Sequence, residues 1–140
     1  MLLLKYGVVP PLRTRYGKGE ELASYFAADF FDVSFSLNAL DHAQDPMLVI
    51  QQMMIVTKPG HDVIVDGNSN EAIGEHYKGF HQWNNACDDG KFIIWSRGKP
   101  TVDVAEALGP MAKSVTCSGQ TGRELIGHMV ATITKAGAPF

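Results

Sequence analysis

Two histidines and the polar residues beside them are where this sequence could do chemistry. Asp41 and His42 stand side by side just after Asn38, and a second polar-aromatic run, His81-Gln82-Trp83-Asn84, follows in the middle of the chain. An imidazole exchanges protons near neutral pH, and a neighbouring carboxylate can fix its tautomer. His42 therefore reads as a general base and Asp41 as its orienting group. A plainer assignment gives His42 a loop carbonyl as partner and makes Asp41 or Asp45 the cap of the next helix. Asn38, His81, Trp83 and Asn84 are the candidate ligand contacts, because two carboxamides, an imidazole and a flat aromatic face suit a small polar molecule or a partner. The alternative for the second run is that Phe80 and Trp83 pin a loop onto the core.

Other apparent motifs carry less. His76, His81 and Cys87, with Glu75 nearby, match no zinc spacing, so the sequence predicts no metal site. Gly119 and Gly122 flank Gln120-Thr121 without the lysine and hydroxyl residue of a phosphate loop, and they read as a turn. The row of Met47, Met53 and Met54 reads as core packing on a helix. Lys18, Lys58 and Lys78 read as solvated.

The elements that must position these groups alternate between strand and helix. Leu2 to Tyr6 resembles a helix end closed by Gly7 and stopped by Pro10-Pro11. Leu12 to Tyr16 is a short extended stretch, and Glu20 to Phe26 a helical turn or two. Phe31 to Leu37 alternates with period two, as a strand does. Asn38 to Asp45 is then a loop, with Asp45 as N-cap and Pro46 in the first turn of a helix that runs to Thr57. Lys58-Pro59-Gly60 ends it. His61 to Gly67 reads as a buried strand, Asn68 as the cap of a helix over Glu71 to Tyr77, and Phe92 to Trp95 as a strand. Val102 to Ala112 reads as helix, Val115 to Cys117 and Met129 to Thr134 as strands, and Ala136 to Phe140 as a tail. That rhythm predicts a single α/β domain over residues 1–140.

The run Phe31-Asp32-Val33-Ser34-Phe35-Ser36-Leu37-Asn38-Ala39-Leu40-Asp41-His42, then Asp45-Pro46, then Lys58-Pro59-Gly60, resembles the middle of class I S-adenosylmethionine-dependent methyltransferases. His61 stands where that family has a second glycine. The similarity continues through Tyr77-Lys78-Gly79-Phe80-His81-Gln82-Trp83-Asn84 and covers nearly the whole chain. It implies a partial Rossmann-like, mostly parallel sheet with flanking helices, lacking the first βαβ unit, and a substrate-side lid at His81 to Asn84. The family's glycine-rich cofactor turn and acidic ribose ligand have no counterpart here, which suggests N-terminal truncation. Glu20 and Asn38 are the residues that the resemblance brings nearest the cofactor, while Lys18 stands where an acidic residue often faces the adenine.

These readings converge on a methyltransferase-like domain that has lost independent S-adenosylmethionine binding and acts as a binding or assembly module. Two alternatives remain open: an active methyltransferase completed by another chain or by further N-terminal residues, and a small-ligand binding protein. Without its missing neighbours, Phe31 to Leu37 becomes an apolar sheet edge, so a homodimer or higher homo-oligomer through that strand is expected unless Leu12 to Tyr16 covers it. Twelve Lys and Arg against fifteen Asp and Glu leave a net charge of −3, which disfavours nucleic acid as a partner. No apolar run suggests a membrane span. Cys87 and Cys117 form no disulfide framework on this reading, and a reducing, cytoplasmic setting is expected.

Overall fold

The computed structural model describes Gly7, residues 14–119 and residues 121–137. The expected helix end at Leu2 to Tyr6 lies outside the described residues, as do Leu12, Arg13 and the last three residues of the tail.

Strand β1 (Phe31–Leu37) forms as the alternation predicts. It pairs in parallel with β2 (Thr57–Asn68), which begins as soon as helix α2 (Pro46–Val56) ends. Lys58-Pro59-Gly60 is therefore part of the strand, and the register between Phe31 and Val33 shifts to accommodate it. Helix α1 (Leu22–Tyr25) follows a 3-10 turn at Gly19–Glu21. At the start of α2 the Asp45 carboxylate accepts the Leu48 N–H at 3.0 Å, and Pro46 occupies the first turn, where its missing donor is harmless.

The rest of the chain adds antiparallel structure. The first sheet has the order β1-β2-β7-β6, with β6 at Ala112–Ser118 and β7 at His128–Lys135. A second, three-stranded sheet joins β3 (Asn84–Asp88), β4 (Lys91–Trp95) and β5 (Val102–Asp103). The α/β class and the Rossmann-like partial sheet stand. The parallel share is smaller than expected, because among the described residues only β1 and β2 run parallel, and the short loop from β6 to β7 permits only antiparallel pairing.

Three local expectations are corrected. Val102 to Ala112 is not one helix: α4 (Val104–Leu108) is stopped by Gly109, whose φ of 52° is left-handed, and by Pro110. Asn70 rather than Asn68 precedes α3 (Glu71–Gly74), which is a single turn. Thr14 to Tyr16, the described part of the expected extended stretch, forms no strand.

The core lies between α2 and the inner faces of both sheets. Val63 and Val65 of β2 sit opposite Ile133 and Ala131 of β7, all buried, with Ile50 and Met54 of α2 above them and Phe92, Ile94 and Val104 beyond. Each of these buried Val, Ile, Met and Phe side chains contributes about 1.5–3 kcal/mol. Cys87 on β3 and Cys117 on β6 are bonded as a disulfide, their Cα atoms 5.8 Å apart, which staples one sheet to the other. This corrects the expectation that Cys87 and Cys117 form no disulfide framework. Among the described residues no helix is long and apolar enough to cross a membrane.

Candidate functional site

The loop after β1 is held on three sides. Asn38, with φ 47°, donates its N–H to the Asp66 carbonyl at 2.7 Å, and its side-chain oxygen accepts the Asn68 N–H at 3.0 Å. This stitch needs Gly67, because a Cβ there would lie 2.9 Å from the Asn38 Cα. Leu40 is buried in the core and anchors a 3-10 turn over Leu40–His42. On the other side the Glu20 carboxylate accepts the Gln44 N–H at 2.9 Å and the Asp45 N–H at 3.3 Å. Burial raises the Glu20 pKa, but the N–H groups of Glu20, Asp45 and Gln44, with the charge of Lys18, together bring it below its ordinary value. Asn38 and Glu20, the expected cofactor contacts, thus hold the loop in place.

The turn presents Asp41 and His42, and His81 arrives from the far side of the fold. His81 Nδ1–H donates to Asp41 Oδ2 at 2.6 Å. His42 Nε2 lies 3.2 Å from His81 Nδ1 and 3.3 Å from Asp41 Oδ2. The sequence pairs Asp41 with His42; in the structure the carboxylate's hydrogen bond goes to His81. The Asp41 side chain is 3% exposed, His81 29% and His42 47%, so a buried carboxylate backs two rings that reach solvent. The hydrogen bond to Asp41 is the main cause that raises the His81 pKa; burial opposes it, and the charges of Asp41, Glu75 and Glu71 add to it.

A clamp holds His81 there. Gln82 donates its backbone N–H to the Asp41 carbonyl at 3.2 Å, and its side-chain amide donates to the carbonyls of Tyr77 and Gly79, both at 2.9 Å. Tyr77, not singled out as a site residue in the sequence, accepts from Asn84 Nδ2 at 3.0 Å and carries the Arg97 guanidinium over its ring. Asn84 is wholly buried, and its side-chain oxygen accepts the Ile73 N–H at 3.1 Å. Expected as a ligand contact, Asn84 has its carboxamide engaged inside the fold. Trp83 packs half-buried on the core with Lys99 over its ring, while Phe80 points out and pins nothing. His76 and Cys87 do not join His81; the histidine that does is His42.

Beside this cluster a cavity of about 520 Å³ runs along β1, lined by His42, Glu20, Ser34, Ser36, Phe35 and Val49 among others. The arrangement offers a proton-exchanging pair of imidazoles with a fixed anionic partner at the carboxyl end of a parallel strand, where open α/β sheets place ligands.

No family model and no curated protein sequence matches the chain. Solved structures do match. A candidate methyltransferase from Bacillus halodurans C-125 has a TM-score of 0.59 at 11% identity, over 98% of this chain and 87% of that one. The [4+2]-cyclase SpnF gives 0.56 at 12%, over 98% of this chain and 61% of the other. A 16S rRNA methyltransferase from T. thermophilus, solved with S-adenosylmethionine and guanosine, gives 0.47 at 14%, and the chain spans 99% of itself but only 27% of that protein. A cyclase and a methyltransferase among the matches mean that fold alone does not assign the reaction. At these identities the likeness is one of fold, the methyltransferase-type α/β fold of these proteins.

Proposed function

We propose that this chain is a methyltransferase-fold module that works as a pair of copies joined through β1, and that one copy alone does not hold S-adenosylmethionine. The observation that carries the reading is the edge itself. Among the described residues β1 pairs with β2 on one side only, and Val33, Phe35 and Leu37 are 50%, 55% and 63% exposed. A seven-residue strand with exposed apolar residues at alternate positions is a template for another strand. A second copy suits it because antiparallel pairing about a two-fold axis sets the same alternating residues against themselves, and the contact then closes.

Support for weak cofactor binding comes from the groove. The 140 residues contain no glycine-rich strand turn to approach a nucleoside closely. The cavity along β1, lined by Gly19, Glu20 and Leu22, β1, the loop after it and α2, is open to solvent, whereas good pockets bury about 70–90% of a ligand. Calorimetry with S-adenosylmethionine and its demethylated product tests this: no binding tighter than millimolar is expected, and micromolar binding by a monomer would refute the reading. A polar metabolite that stabilises the chain thermally, and stops doing so in His81→Ala, would instead favour a small-ligand binding protein.

A further inference from the structure

Asp41, His42 and His81 bring together one carboxylate and two imidazoles that the chain's spacing conceals. The two histidines are separated by all of α2, β2 and α3, and only the fold brings them together. We propose that this triad is a binding site for one divalent first-row transition-metal ion of zinc-like character, held by His42 Nε2, His81 Nδ1 and Asp41 Oδ2.

The argument begins with distances. An ion about 2.0–2.2 Å from nitrogen and carboxylate oxygen sets tetrahedral ligand atoms roughly 3.3 Å apart. Two of the three separations already fit, at 3.2 and 3.3 Å. The third, His81 to Asp41, is 2.6 Å because a proton lies between the two atoms. Metal binding at Nδ1 requires the Nε2–H tautomer, so a neutral ring shifts its proton from Nδ1 to Nε2 and a charged ring releases its Nδ1 proton to solvent. The pair then opens by a few tenths of an ångström around the ion. The donor set itself selects the metal: two imidazoles and one carboxylate suit zinc, cobalt, nickel or iron, while magnesium and calcium prefer oxygen alone.

Support for the ligands is also present. Asp41 is fixed because its carbonyl receives the Gln82 N–H and Leu40 beside it is locked in the core. His81 is fixed by the same Gln82, whose side chain ties the loop behind it. Three protein ligands leave at least one position open, as in catalytic rather than structural sites. His42 also lines the cavity along β1, so an oxygen donor of a molecule in that cavity could complete the shell.

The test uses the full chain with metal alone. Titration with Co²⁺, followed by its visible absorption, and with Zn²⁺ by calorimetry should show one equivalent bound at micromolar affinity or tighter. His42→Gln and His81→Gln should each weaken that binding by roughly a hundredfold, given that even outer partners of metal ligands are worth about 10–100-fold. Both substitutions are at partly exposed rings, and far-UV circular dichroism shows that each variant still folds. His128→Gln, which removes the exposed His128–Asp66 pair, should leave the affinity unchanged. Binding no tighter than millimolar, or binding indifferent to both triad variants, overturns the proposal. The readout is metal affinity rather than mass, so its failure is separate from failure of the paired-copy reading.

Discussion

Asp41 is a buried anion with two imidazoles over it, and the residues around it divide between those that face solvent and those that hold the loops. Glu20 belongs to the second kind. Its folded pKa lies below its ordinary value, so its stabilisation is complete above the ordinary glutamate range and is lost as pH falls through the lowered one. Glu20→Gln should destabilise the chain by about 1 kcal/mol at pH 7, with the difference shrinking in acid, as chemical denaturation at several pH values would show. Asn84→Ala removes the acceptor of the Ile73 N–H and a donor to Tyr77. It should cost about 2 kcal/mol in the same measurement, because buried groups are left unpaired.

At the scale of elements, the first half of the chain was legible because its signals are local. The alternation of Phe31 to Leu37 and the Asp45-Pro46 start of α2 need no partners to be read, and Asp45→Ala should lower the melting temperature, corresponding to about 1 kcal/mol for the lost cap. The hairpin of β3 and β4 was half legible. Asp89 and Gly90 both adopt positive φ, as an Asp-Gly hairpin turn requires, but Asn84 to Asp88 is poor in strand-forming residues and pairs only because β4 is beside it. Within the site, Asp41, His42 and His81 were each visible as polar residues near predicted loops. That His81 rather than His42 takes the Asp41 hydrogen bond depends on the Gln82 clamp, which no spacing encodes. Gly67→Ala should unsettle the loop at Asn38, measured as faster amide exchange at Asn38 and Asn68.

For the whole molecule, two features set the behaviour: a staple between sheets and an open edge. The Cys87–Cys117 bond spans 30 residues of chain. Closing a loop of that length stabilises by about 3–4 kcal/mol in the chain-entropy account, so reduction should lower the denaturation midpoint accordingly. Such bonds persist in oxidising compartments, which runs against the cytoplasmic expectation drawn from the cysteine count. The open edge is the central matter, since one strand decides whether the fold acts singly. Sedimentation equilibrium of the pure chain and of Phe35→Lys tests it most directly: a dimer that the substitution turns into a folded monomer is the predicted result, and a monomer for the unaltered chain at high micromolar concentration would contradict it.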